Sequence, residues 1–280
     1  MNLKIVALLV TSLFFSVGWG KTASESSDAK NSSLKFVEKP AEKNKKQGAI
    51  NKKRPEIYQF SNPAHQAMLN NSTKAVKTLP NKDIDELLKA MHEAMASNVG
   101  GGISANQIGK SLQIFLIGPP PMINSRAPSD VFINPRITKA SKGRSCFWHG
   151  CLSSDGEKFG KVASWNTITI EALDPQGKKF TRDLKGLDAI VAQHEFRHLL
   201  GGGYHDHAKE FNDEKSLMRL MFQGKLRMLE VCDDNAPFIL DGYKVGETIE
   251  EYAQRAGKVS GKSGDKSSKK KKSKGIPLPE

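Results

Sequence analysis

Cysteine is scarce in this chain: Cys146, Cys151 and Cys232 are the only three among 280 residues, and an odd number leaves at least one thiol outside any disulfide. No cysteine follows the apolar run near the amino terminus, which argues against a lipoprotein. Apart from that run, Ile5 to Val17, long hydrophobic stretches are missing, and this one is too short and too poorly flanked for a comfortable membrane span. Behind Met1-Asn2-Leu3-Lys4 and ahead of Gly18-Trp19-Gly20 it has the layout of a secretory signal peptide, expected over residues 1–20, with an uncleaved anchor as the alternative. Internal repeats are absent. Apolar residues are sparse over 21–56 and over 254–280, so both stretches are expected to be disordered. No aromatic residues interleave the lysines of Lys269-Lys270-Lys271-Lys272, which argues against a stacking platform for single strands and leaves no specific nucleic-acid site. The formal charge of +13 sits largely in these tails and reads as solvated lysine, with anionic surfaces as weak partners.

What remains, residues 57–253, is enough for one well-cored domain. Asn81 has the character of a helix cap, and Ile84, Leu87, Leu88, Met91 and Met95 form the apolar stripe of the helix behind it. Trp165 to Leu173 alternates as a strand does, and Asp174-Pro175-Gln176-Gly177 turns the chain. Strands first and a helix later give an α+β reading.

The most informative stretch is Gln193-His194-Glu195-Phe196-Arg197-His198, which spells H-E-x-x-H. On a helix, residues four apart share a face, so His194 and His198 can grip one ion while Glu195 handles the protons of a bound water. Leu187, Ile190 and Val191 keep helical spacing with the histidines, and Gly201 to Gly203 supply a stop. A catalytic site needs a third ligand, and two sources compete. Downstream, His205 nearly completes the extended metzincin pattern but falls one residue late, where Tyr204 occupies the expected position. Upstream, Cys151 in His149-Gly150-Cys151-Leu152-Ser153 offers a thiolate, although most lone cysteines are small buried apolar residues. A glycine-rich segment, Gly100-Gly101-Gly102-Ile103-Ser104-Ala105-Asn106-Gln107, lacks the Lys-Ser/Thr ending of a phosphate cradle; Gln107 could donate its amide N–H to a substrate oxygen.

In this order the three segments resemble the motifs of polypeptide deformylases: G-x-G-hydrophobic-x-A-x-Q, E-G-C-L-S and Q-H-E-x-D-H-L. Asn134-Pro135 after Val131-Phe132-Ile133, Ile108-Gly109, and Gly186-Leu187 are smaller echoes. The resemblance implies an α+β fold with antiparallel sheets around a central helix carrying the H-E-x-x-H motif. It implies that Cys151, His194 and His198 hold one Fe(2+), with Zn(2+) able to occupy the same ligands. Glu195 would carry the proton, and the Gln107 amide and the Leu152 backbone N–H would meet the oxyanion. Gly102, Ile103, Leu187, Ile190 and Val191 would contact substrate. The reaction implied is removal of the formyl group from amino-terminal formyl-methionine of peptides or nascent chains, releasing formate.

Three positions depart from that pattern. His149 stands where the family has an acid two residues before the cysteine, Arg197 where it has an acid before the last histidine, and Ser164 where it tends to place an arginine. A charge cluster has thus been replaced as a unit, as the cost of a single buried unpaired charge would favour; Arg197 is expected to supply positive charge from the opposite side. Two further readings stay open: an exported zinc protease using His205, and a deformylase fold that binds formyl peptides without turning them over. The leader implies a periplasmic or secreted protein, or delivery to a translating organelle; an oxidising compartment sits uneasily with Fe(2+) and a ligating thiolate.

Overall fold

The computed structural model describes residues 55–118, 129–155, 158–233 and 235–257. The expected signal peptide, the linker up to residue 54 and the lysine-rich tail after residue 257 lie outside the described residues.

Helix α1 (Pro63–Asn70) starts with proline in its first turn, and the Asn62 side chain caps it by accepting from the Ala64 N–H at 3.0 Å. Helix α2 (Lys82–Ser97) begins as the sequence suggests, with Asn81 accepting from the Asp83 N–H at 2.9 Å. Its expected stripe, Ile84, Leu87, Leu88, Met91 and Met95, is buried, and Ala94 joins it. Strands β1 (Gly102–Ser104), β2 (Ile114–Ile117) and β3 (Asp130–Ala140) follow, then β4 (Arg144–His149), β5 (Lys158–Trp165), β6 (Thr167–Leu173) and β7 (Lys179–Lys185). After helix α3 (Gly186–Leu199) come β8 (Glu210–Asp213), α4 (Glu214–Phe222), β9 (Leu229–Val231) and α5 (Ile249–Ala256).

All pairings of these strands are antiparallel and make two sheets, β1-β2-β3-β6-β7 and β8-β5-β4-β9. One face of the first sheet packs Ile103, Ile114, Leu116 and Ile133 against α2. The other joins Phe115, Phe132, Ile137 and Ile170 to Ala189, Ala192, Phe196 and Leu199 of α3, where Val162 and Ala163 of the second sheet complete the core. Helix α3 is thus enclosed, and every residue from Ala192 to Leu199 is buried. A helix packed on all sides cannot show a clean polar stripe, which is why pattern alone describes it poorly. Gly201, at φ +80°, ends it in the left-handed conformation; a Cβ there would lie 2.5 Å from the Asn71 backbone.

Two expectations need correcting. Trp165 closes β5 rather than opening β6, because the chain breaks at Asn166 and passes from one sheet to the other. Strand β3 runs through Asn134-Pro135 and bulges there, with a register shift between Ile133 and Arg136. Asn134 tolerates φ +50° because its side chain bonds both the N–H and the C=O of Val76, at 2.8 and 2.9 Å. The ordered chain also passes residue 253: α5 runs to Ala256, capped by Thr248 and anchored by buried Ile249, Tyr252 and Ala253. Cys146 on β4 and Cys232 beyond β9 form a disulfide across 86 residues of sequence, a closure worth about 4.6 kcal/mol of unfolded-chain entropy.

Candidate active site

Three separate parts of the fold converge beside α3. Cys151 follows β4, Gln107 sits in a 3-10 turn after β1, and His194 and His198 project from α3. Ligand atoms of Cys151, His194 and His198 all lie within 4.8 Å of one another, and the three residues are buried. Cys151 Sγ is 3.2 Å from His198 Nε2. On the far side of that ring, His198 Nδ1 is 2.8 Å from the Gly202 carbonyl, which can only accept, so Nδ1 carries the proton and Nε2 turns a lone pair toward the sulfur.

The Gln107 amide is oriented by the same logic. Ser104 N–H, an obligatory donor, lies 2.9 Å from Oε1, and Ser104 Oγ 3.0 Å from it. Nε2 therefore faces the centre, donating to Ser153 Oγ at 3.0 Å and toward Cys151 Sγ at 3.4 Å. The Ser153 N–H also approaches the sulfur at 3.4 Å. Two N–H groups aimed at one sulfur suit a thiolate. Burial alone pushes the Cys151 thiol well up, against the help of the Ser153 N–H, so a nearby cation is what would let it ionise. Burial drives both histidines down, His194 to about 4, leaving them neutral as a metal ligand must be. One sulfur and two imidazole nitrogens suit a borderline-soft divalent ion, and the donor set fits such a group.

Glu195 is buried, its carboxyl is raised well above the usual range by that burial, and Oε2 has no hydrogen-bond partner. An orphaned buried carboxyl beside a ligand cluster is a ready proton carrier. Gly102 makes room for it, since a Cβ at that position would stand 2.6 Å from Glu195 Oε1. Next to these groups opens a cavity of about 220 Å³, lined by Gly102, Leu152, Leu187, Ile190, Val191 and Met228 among others. The Ile103 side chain is fully buried against α2, because alternation along β1 turns it away from Gly102, which leaves its backbone as the part that can meet a substrate. His205 stands outside the ligand cluster: its ring packs edge-on to Phe60 at 4.2 Å and pairs with Asp206 at 3.5 Å.

Of the three departures, Arg197 behaves differently from expectation. It pairs with Asp206 at 2.6 Å and reaches Tyr252 at 3.4 Å, so its charge is neutralised beyond the glycine turn. Several contributors were missed. The segment Tyr58-Gln59-Phe60 straps the centre, with Tyr58 N–H on the Gln107 carbonyl at 2.7 Å, Phe60 N–H on the Ser153 carbonyl at 2.9 Å and Gln59 Nε2 on the Leu152 carbonyl at 3.0 Å. Nothing local in the sequence marks that strap, nor Asp206; Ser153 lay within the cysteine motif and could have been singled out.

The chain is similar in sequence and fold to proteins of one known family. A family model for polypeptide deformylase matches residues 55–214. Peptide deformylase 2 of Pseudomonas syringae pv. tomato is 34% identical over 145 residues, 50% of this chain and 79% of that protein. A peptide deformylase of Roseiflexus castenholzii is 32% identical over 171 residues, 57% of this chain and 91% of that protein. Among solved structures, a peptide deformylase from Plasmodium falciparum superposes with a TM-score of 0.51 at 25% identity, covering 60% of this chain and 92% of that one. A plant peptide deformylase gives 0.50 at 26% identity, covering 61% and 87%.

Proposed function

The chain belongs to the polypeptide deformylase family, and from that premise we propose that it removes the formyl group from amino-terminal formyl-methionine of peptides, releasing formate. The observation that supports this most is the convergence of Cys151, His194 and His198 beside the unpartnered carboxyl of Glu195. Cys151, His194 and His198 would hold one divalent ion, Fe(2+) with Zn(2+) as the alternative. Bound there, such an ion would supply Lewis acidity to the formyl oxygen and to water.

The chain's own groups do the rest. Glu195 Oε2 takes a proton from the attacking water and returns it to the departing nitrogen as the C–N bond breaks, so water and formamide become formate and a free amine. Gln107, held by Ser104, keeps an N–H directed to the centre; its contact with Cys151 Sγ at 3.4 Å is weak enough to yield to a developing oxyanion. The backbone N–H of Leu152 is the second donor, and its peptide plane is held through the Cys151 carbonyl, which accepts from Ser154 Oγ at 2.9 Å and the Ser154 N–H at 3.2 Å. Leu187, Ile190, Val191 and Gly102 shape the cavity for the methionine side chain. Strand β1 is an edge of its sheet, so the peptide backbone can lie along it as an added strand.

The protein acts outside the cytosol on exported or released formyl peptides. The leader-like start and the Cys146–Cys232 disulfide support that placement, and fractionation of a tagged protein tests it. The test of activity is formate release from formyl-Met-Ala-Ser by metal-loaded protein. Turnover that Cys151→Ala abolishes together with bound metal is the expected result. Metal retained by Cys151→Ala overturns the ligand set, and bound metal without turnover leaves a formyl-peptide-binding protein.

A further inference from the structure

His149 occupies the position where the family resemblance leads one to expect a carboxylate, yet it is not idle. Its Nδ1 lies 3.0 Å from Nδ1 of His194, and the two rings are parallel within 7° at 5.2 Å. The ring is clamped, with Phe147 edge-on at 5.2 Å and Tyr204 stacked at 6.2 Å, and only 2% of the residue is exposed. Its other nitrogen, Nε2, is buried without a hydrogen-bond partner. So His149 makes one polar contact through its side chain, and that contact is to a residue of the ligand cluster.

Two nitrogens facing each other at this distance must share one proton, and only two arrangements exist. If His149 donates, His194 carries its proton on Nε2 and has no lone pair left for a cation. If His194 donates, its Nε2 is free to bind and the His149 proton resides on the unpartnered Nε2. Resting on the ligand set proposed above, we infer that His149 is a positioning residue for the metal centre: it accepts the Nδ1–H of His194 and so holds that imidazole in the ligating tautomer. The parallel with His198 is direct, since the Gly202 carbonyl does the same for that ring at 2.8 Å. Each ligating histidine thus has its own neutral acceptor, one from the backbone and one from a side chain. No carboxylate serves either ring, which lowers the negative charge around the ion relative to an acid at residue 149.

The test is a competition titration of Zn(2+) against a chromogenic chelator, with Co(2+) absorption as a second readout, on wild type, His149→Phe and His149→Gln. The phenylalanine keeps the ring but cannot accept. It is expected to weaken Zn(2+) binding by roughly ten- to a hundredfold and to alter the Co(2+) ligand-field bands. The glutamine carbonyl can accept the same proton and should restore both toward wild type, which a purely packing role would not predict. Wild-type affinity and spectrum in folded His149→Phe overturn the assignment. Should that variant fail to fold, long-range 1H–15N spectra of zinc-loaded wild type decide: a protonated Nδ1 on His194 and an unprotonated Nδ1 on His149 are expected, and the reverse overturns it. A wild-type protein that takes up no zinc refutes the ligand set itself, a distinct outcome that removes this inference with it.

Discussion

The two sides of the α3 histidine pair are built on different terms. Toward the cavity, Ser104, Gln107, Ser153 and Cys151 form a closed network in which both ends of the Gln107 amide are engaged. Glu195 Oε2 in the site has no partner, and neither do three buried polar atoms at other positions around the helix: His149 Nε2, Ser164 Oγ and Arg197 Nε. An unsatisfied buried group costs about 1–3 kcal/mol. All three belong to the positions where this chain departs from the family pattern. The contrast teaches that the hydrogen-bond network joining Gln107 to Cys151 is closed, while the side chains at the departing positions are only partly satisfied.

Substitutions in the two sets should separate by kind as well as by size. Cys151→Ala should reduce bound metal from one ion per chain to near none, measured by elemental analysis of folded protein, and remove turnover with it. Glu195→Gln should keep the metal yet slow formate release by about a hundred- to ten-thousandfold, since only the proton carrier is lost. Gln107→Leu removes one oxyanion donor and should cost about a hundredfold or more in kcat with bound metal unchanged.

Across the divide, effects should appear in stability rather than chemistry. Asp206→Asn leaves the buried Arg197 guanidinium without its anion. A fully buried pair so broken costs about 3–5 kcal/mol, but Asp206 is a third exposed and solvent screens part of this, so about 1–3 kcal/mol is expected in thermal melts at pH 7. Burial raises the Asp206 carboxyl, but Arg197 and the hydrogen bonds from Arg197 and the Gly203 N–H outweigh it and hold it below its usual value. The unfolded chain therefore binds that proton first on acidification. The contribution is full above the unfolded value and is lost as pH falls through the folded one, so the gap between wild type and Asp206→Asn should close below about pH 4. A gap that stays constant to pH 3 breaks the pairing argument. Smallest of all, Ser164→Ala deletes a hydroxyl that is fully buried and unpartnered. Melting should be unchanged or slightly raised, within about 1 kcal/mol, and a large loss would mean that the hydroxyl has a partner after all.

Legibility followed the range of the interaction. The α2 stripe and its Asn81 cap, and the turn at Asp174 to Gly177 joining β6 to β7, depend on neighbours within a few residues and could be read directly. The bulge at Asn134 could not, because its cause is Val76, 58 residues earlier. Arg197 was misjudged for the same reason: its partner is nine residues on, across a glycine turn whose path spacing does not reveal. That the Ile103 side chain packs against α2 was not legible either, because a motif names a residue without saying which face of a short strand its side chain takes.

By itself the chain of letters settled that two histidines share one helical face with a glutamate between them, because a four-residue step and a helical turn nearly coincide. It also marked the cysteine and glutamine motifs as companions, through their resemblance to a known order. Only the tertiary structure decided which nitrogen of each ring faces the centre, that Cys151 rather than His205 stands beside the histidine pair, and that His149 leans on His194. Those outcomes depend on how two sheets close around α3, and no periodicity within one segment encodes contacts made between segments.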